Sequence, residues 1–300
     1  MFNFLLVVFR AVYFLVWLLR LRVVVLTTTP PPPRFQPVAE EYVDDQGRPS
    51  GKRGLVVGGG AVRERAAYLL DPEVVPATEL VVLEGQRGSL QAWVDNAGSA
   101  DDFGTGLFDV DNVQRVAALD LRLANCDRHG GNLLVSEPAD AGSSYRLTPI
   151  DHGCVLPESL EDLFFAWQYW RQVRQPVTPA VKAYVNAIDI EADLAVLSSI
   201  GISPASCAVY RATTSLLKAG VAAGLTLFDI AQLVTRPRLS EPSDLELALA
   251  GHDNDDSDRG DASTDDDAEE VDACGNGWTR TMTAHQVEQT VRDLVDAGLQ

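Results

Sequence analysis

Between Asp120 and Gly153 the chain reads Asp120-Leu-Arg-Leu-Ala-Asn-Cys-Asp127-Arg-His-Gly-Gly-Asn132 and, further on, Leu-Thr-Pro-Ile150-Asp151-His-Gly153. No other stretch constrains the fold as strongly. An Asp, an Asn five residues later and a second Asp beyond a hairpin stand in the order that phosphoryl transfer to a hydroxyl requires. The first carboxylate orients the hydroxyl and accepts its proton, and the other two side chains offer hard oxygens to a divalent cation. Leu133-Leu134-Val135 and the run ending at Ile150 predict the two hairpin strands, with Ala141-Gly142-Ser143-Ser144 as the turn. A bare Asp-x4-Asn also arises as a polar turn, whereas the three-part pattern framed by strands is specific. Asp127, Arg128, Asn132 and Asp151 are therefore the candidate catalytic residues, and Asn132 and Asp151 the candidate Mg2+ ligands.

Composition bounds the rest. Three hundred residues, 46% of them hydrophobic and 22% charged, fit one large domain or two small lobes. A net charge of −19 argues against a nucleic-acid partner, because phosphate binding calls for Lys and Arg. Eleven acids and a single Arg lie between Asp253 and Asp272, so the body is only mildly acidic. Residues 251–276 are too polar to bury a core and are expected to be disordered. Cys126, Cys154, Cys207 and Cys274 have neither paired nor metal-ligand spacing, which suits a reducing compartment. Cys126 and Cys154 read as small buried fillers.

Phe2 to Leu26 is almost wholly apolar, broken by Arg10, Arg20 and Arg22 and stopped by Thr27-Thr-Thr and Pro30-Pro-Pro-Pro33. That length suits a bilayer span, and the basic C-terminal flank places the body on the cytosolic side. Residues 1–29 are thus expected to be a membrane anchor and 30–34 a stiff spacer. A hydrophobic helix on the body, or a start that stands in place of a glycine-rich segment, are the alternatives. Downstream, the spacing predicts a strand over Phe35–Val38 and a polar loop to Gly60. A helix over Val62–Leu70 carries Glu64, and strands follow over Glu79–Glu84 and Leu90–Val94. Another helix is expected over Val110–Asn125. Gly58-Gly-Gly60 reads as a flexible link more readily than as an anion site. Phe164, Phe165, Trp167 and Trp170 form an aromatic stripe of core character. Helices follow over Pro179–Asn186, Glu191–Ile200, Pro204–Ala219 and Thr226–Thr235. A short amphipathic helix over Thr283–Ala297, capped by Thr283, closes the chain within 277–300.

With those residues in view, the chain resembles the phosphatidylinositol 3-/4-kinase superfamily, and within it the type II phosphatidylinositol 4-kinases of the plant and algal gamma group. Asp127-Arg-His-Gly-Gly-Asn132 and Pro149-Ile-Asp151-His-Gly153 carry the likeness. So do Gly60-Ala-Val-Arg-Glu64 through Asp71, Gly88-Ser-Leu-Gln91-Ala-Trp93-Val94, Leu119 through Asn125, and Leu156-Pro-Glu158 through Trp170. The resemblance runs from about Phe35 to about Arg238. It implies an α+β, kinase-like bilobal fold, with a truncated N-lobe over 35–95 and a mainly helical C-lobe over 96–250. It implies ATP and Mg2+ as cofactors. Gln91, Ala92, Trp93 and Val94 would border adenine, and Glu64 would pair with a phosphate-touching Lys. Leu156 to Trp170 would be the activation segment and the helix after it.

Two departures stand out. The family carries Phe-Lys-Pro on its first strand where this chain has Phe35-Gln36-Pro37, and the glycine-rich hairpin over the phosphates is absent. The Lys that precedes the catalytic loop is Lys52, in a loop-like Gly-Arg-Pro-Ser-Gly-Lys-Arg-Gly stretch. The expected activity is transfer of the ATP γ-phosphate to the inositol 4-hydroxyl of phosphatidylinositol by a membrane-associated protein with its body in the cytosol. A pseudokinase or truncated chain of little activity, and a protein Ser/Thr kinase of the same family, remain open alternatives.

Overall fold

The computed structural model describes residues 31–138, 140, 142–252 and 283–298. The predicted anchor, most of the acidic segment and Ala141 of the predicted turn lie outside the described residues. From Pro33 onward the described residues form one compact unit.

The first part is a small sheet with one helix. Strand β1 (Arg34–Pro37) precedes helix α1 (Gly60–Leu70), and strands β2 (Thr78–Leu83) and β3 (Gln86–Gln91) follow. All pairings are antiparallel in the order β1-β3-β2, with Gln36 opposite Ser89. The third strand corrects the expectation of Leu90–Val94. Glu84 and Gly85 both take positive φ, +50° and +83°, which makes the tight two-residue hairpin turn that matches strand twist. Glu84 carries no turn signature, so the polar run Gln86-Arg87-Gly88-Ser89 was not recognisable as the returning strand. Gly88 is required there, since a Cβ would stand 2.3 Å from the Gln36 carbonyl oxygen.

The second part is mainly helical. It holds α2 (Val110–Leu123), the hairpin β4 (Leu133–Ser136) and β5 (Arg146–Pro149), then α3 (Pro179–Ala187), α4 (Ile190–Ser199) and α5 (Pro204–Ala223). After these come α6 (Leu227–Val234), α7 (Asp244–His252) and α8 (Ala284–Gly298). Caps explain the boundaries. Asp109, Thr178, Asp189, Ser203 and Thr226 each accept a backbone N–H in the first turn of the helix they begin. Thr283 caps α8 as expected, accepting from Gln286 N while the Gln286 amide oxygen accepts from Thr283 N. Val287, Val291 and Val295 of α8 are buried in the core shared with α5. Helix α7 is an addition to the sequence reading.

Three of the four aromatics belong to the core, with Phe165, Trp167 and Trp170 buried and Phe165 stacked on Trp167 at 4.8 Å, whereas Phe164 is exposed. No α-helix forms there. Ala166–Tyr169 and Arg171–Arg174 are 3-10 turns, because residues 164–166 run extended alongside the catalytic loop. The two parts are joined by buried ion pairs and hydrogen bonds. Asp71 at the end of α1 pairs with Arg115 of α2 at 2.6 Å, and Arg122 of α2 donates to the Leu70 carbonyl at 3.1 Å.

Candidate active site

Helix α2 delivers the catalytic loop. It ends at Ala124, whose left-handed φ of +51° turns the chain sharply into Asn125. The loop is then fixed by a buried charge network. Arg128 is 0% exposed, and its Nε donates to both carboxylate oxygens of Asp120 at 3.1 and 3.0 Å. Asp120, equally buried, also accepts from Asn125 Nδ2 at 2.9 Å and Trp167 Nε1 at 2.8 Å. Arg128 Nη1 donates to the carbonyls of Asn132 at 2.6 Å and Ile150 at 2.8 Å, the residue before Asp151. Arg128 is sealed from the cleft: it lines neither cavity and holds the backbone carbonyls beside both metal-ligand candidates. Asp120 is the functional partner that sequence reasoning missed.

The loop's own geometry is equally specified. Asp127 N donates to Asn125 Oδ1 at 2.8 Å, and Asn132 Nδ2 donates back to the Asp127 carbonyl at 3.1 Å. A Cβ on Gly130 would displace the Asp101 carboxylate and stand 3.2 Å from the Asp101 backbone nitrogen. Strand β4 pairs with β5 in the predicted hairpin, with Leu133 opposite Pro149, so that Asp151 leaves the sheet beside the loop. Asp151 adopts φ +54°, a conformation in which Asp and Asn are enriched among non-glycine residues.

Asp127 and Asp151 open onto one cavity of about 200 Å3, with Gln36, Glu40, Glu41, Gly60, Glu64 and Gly153 among its walls. A narrow adjoining cavity of about 20 Å3 is lined by Arg34, Gln36, Glu64, Ser89, Gln91, Ile150 and Asp151. Asn132 is buried behind Asp127 and lines neither. Asp151 keeps an exposed face toward the cleft while protein crowds it from behind. That burial raises its carboxyl pKa. The carboxylates of Glu64 and Asp127 add to the rise, and His152 and Arg128 oppose it.

Glu64 does not meet a lysine. Its carboxylate accepts from Gln91 Nε2 at 3.3 Å and lies 3.8 Å from His152 Nδ1. Gln91 thereby borders the narrow cavity, its amide shared with Thr78 Oγ1 at 3.0 Å. Ala92, Trp93 and Val94 line neither cavity. Trp93 is half exposed and its indole N–H donates to Asp95 at 3.2 Å, so the adenine-bordering role read from the sequence rests on Gln91 alone. Arg63, also missed, ties α1 to the second Asp loop by donating to the Gly153 carbonyl at 2.5 Å and to Glu41 at 3.1 Å. Cys126 and Cys154 are buried with Leu55, as fillers should be, and burial pushes both thiols up.

Among the described residues no group of three His, Cys, Asp or Glu side chains is set to hold a metal ion. Mg2+ in general keeps several waters and takes one or two carboxylates plus substrate phosphates. Asp151 offers an open carboxylate in an acidic cleft that a dication would neutralise. The Asn132 amide nitrogen is committed to the Asp127 carbonyl, so its oxygen is the atom that would meet a cation.

A sheet-bearing lobe with a buried Glu on its helix, facing a helical lobe whose loop and hairpin bring two aspartates to one cleft, is the architecture of a kinase-type phosphotransferase. Comparison of sequences gives the family. The chain belongs to the phosphatidylinositol 3- and 4-kinase family, whose model matches residues 48–230. It is similar to phosphatidylinositol 4-kinase gamma 4 of Oryza sativa subsp. japonica, with 42% identity over 219 residues, 66% of this chain and 38% of that protein. It is also similar to phosphatidylinositol 4-kinase gamma 4 and gamma 3 of Arabidopsis thaliana. Each is 38% identical over 71% of this chain, which covers 44% and 42% of those proteins. The chain thus spans less than half the length of these relatives.

Proposed function

We propose that the cleft transfers the γ-phosphate of ATP to a hydroxyl, and that the hydroxyl is the inositol 4-position of phosphatidylinositol. The observation that carries the transfer is the convergence of Asp127 and Asp151 on one cavity, with Asn132 held behind by the Arg128–Asp120 pair. Support for the lipid comes from the names of the relatives. Asp127 holds the attacking hydroxyl and accepts its proton at a carboxylate oxygen. Asn132 and Asp151 would hold Mg2+, which supplies charge neutralisation for the polyphosphate. Glu64 and Gln91 shape the nucleotide side. Phosphate transfer to phosphatidylinositol in mixed micelles, run beside a protein substrate, tests the reading. Label entering only the protein would replace the lipid with a Ser or Thr hydroxyl.

Turnover is expected to be slow, and Gln36 is the reason. It lines the cavity beside Glu64 and Asp151 with an uncharged amide. A charge-assisted hydrogen bond is worth about 1.5–3 kcal/mol, or roughly 10- to 150-fold in affinity. Gln36→Lys is accordingly expected to tighten ATP binding by that order and to give Glu64 an ion-pair partner. Unchanged ATP affinity, measured by calorimetry, would show that another group already grips the phosphates.

We also propose that residues 1–29 anchor the protein to a membrane with the body in the cytosol. Among the described residues no helix is long and apolar enough to cross a bilayer, and the proposed anchor lies outside them. Resistance of the full chain to carbonate extraction is the expected result. Release into the supernatant removes the anchor from the proposal.

A further inference from the structure

The cleft holds carboxylates in excess: Glu40, Glu41, Glu64, Asp127 and Asp151 all face the larger cavity. A nucleotide polyphosphate entering it needs a cation besides the metal. Several cations near the cleft are otherwise engaged. Arg128 is sealed against Asp120, and Arg63 is buried against Glu41 and the Gly153 carbonyl. Arg34 lines only the narrow adjoining cavity. His129 lies 3.9 Å from Asp127 Oδ2, on the half-exposed outer side of the loop. Lys52 is different. It comes from a loop 75 residues upstream, and its ammonium stands 3.1 Å from Asp127 Oδ1 with 23% of the side chain still accessible.

The loop is built to put it there. Tyr42 to Ser50 closes on itself through a Val43–Pro49 bridge and a Ser50 N to Tyr42 O hydrogen bond of 2.8 Å. Ser50 and Gly51 then turn with φ +51° and +69°. Immediately after Lys52, Arg53 is clamped to the helical lobe. Its backbone N and guanidinium donate to Asp162 at 2.5 and 3.0 Å, and Glu158 N donates to the Gly54 carbonyl at 2.6 Å. Gly54 fits because a Cβ would stand 2.4 Å from Ser159 Oγ. Lys52 is therefore held over the catalytic loop by contacts on both sides.

We infer that Lys52 is a further catalytic residue, the one whose ammonium contacts the phosphoryl group in transit. The inference rests on the phosphotransfer reading above. A hydroxyl held by Asp127 attacks a phosphorus about 3–3.5 Å away, so the group being transferred passes within one side-chain swing of an ammonium already on Asp127. Lys52 supplies at the transferred phosphate a charge that Gln36 does not supply from β1. Loss of one such preorganised donor lowers kcat on the order of 10²–10³-fold.

An acyl-phosphate derivative of ATP tests this on the full chain without needing turnover. A nearby lysine amine forms an N–C bond to the acyl carbon, the C–O bond to the γ-phosphate breaks, the amine proton goes to solvent, and ATP leaves. The expected result is acylation of Lys52, protected by excess ATP and found by peptide mass spectrometry. Lys52→Ala is expected to lower kcat on the order of 10²–10³-fold, with Lys52→Arg restoring part of it at an unchanged melting temperature. Absence of ATP-protected label at Lys52 overturns the inference. So does faster turnover in Lys52→Ala, which would make Lys52 a latch that shields Asp127. Asp151→Ala separates the two readings. If it abolishes transfer while Lys52→Ala is silent, Lys52 alone falls. If it leaves transfer unchanged, the phosphotransfer reading falls and takes this inference with it.

Discussion

Asp120→Ala is expected to destabilise the protein by about 3–5 kcal/mol, the usual consequence of removing one partner of a buried ion pair. Arg128 has no water to turn to, being 0% exposed, and the Trp167 indole and Asn125 amide would lose their acceptor as well. Net stabilities of natural domains are about 5–15 kcal/mol, so the loss is a large fraction of the whole. At about 2–4 °C per kcal/mol, the melting temperature should fall by roughly 6–20 °C. Arg128→Ala should do the same from the other side, with a further effect. The carbonyls of Asn132 and Ile150 lose their shared donor, so the two metal-ligand candidates come adrift together. Replacing both members by apolar residues should recover much of the stability and none of the activity. A loss below about 1 kcal/mol in urea denaturation of Asp120→Ala would show that water reaches Arg128 and that the loop is held by other means.

The parts of this site that were legible in the sequence are those that lie close together along the chain. Asp127 and Asp151 sit within one loop and one hairpin, so their spacing predicts their convergence on one cavity, whereas Asn132, from the same loop, is buried and lines neither cavity. The apolar periodicity of the helical lobe and the cap Thr283 are local signals of the same kind. What escaped depends on tertiary contact. Trp167 meets Asp120 across 47 residues, and Lys52 meets Asp127 across 75. Nothing in the neighbourhood of either residue announces such a partner. The β2–β3 turn escaped for a different reason. Its first residue is Glu84, and the left-handed conformation there is imposed by the pairing of the strands on either side. The strand accordingly ends at Gln91, and of the four residues expected beside adenine Gln91 is the one that lines the narrow cavity.

Asp151→Asn is expected to abolish phosphate transfer, by at least the 10²–10³-fold typical of losing one charge-stabilising group, while making the metal-free protein more stable. The two effects have one cause. Burial, with the carboxylates of Glu64 and Asp127 nearby, raises the Asp151 pKa above its ordinary value. A folded-state pKa above the unfolded one means that Asp151 favours folding fully at pH below its unfolded pKa, near 3.9. That contribution is lost as pH rises through the folded pKa, so at neutral pH the ionised side chain weighs against the metal-free fold. Asn removes the charge with nearly the same shape, and it tolerates the φ of +54° at this position, so no backbone strain accompanies the change. The melting temperature of the variant should therefore exceed that of the parent at pH 7, and the gap should close as the pH falls toward the ordinary carboxylate range. Mg2+ should raise the melting temperature of the parent and leave the variant unmoved, because the dication supplies the positive charge for which the parent's cleft is arranged. A variant that melts lower than the parent at neutral pH, or one that still gains stability from Mg2+, would place the metal seat away from Asp151 and show that its carboxylate serves the fold instead.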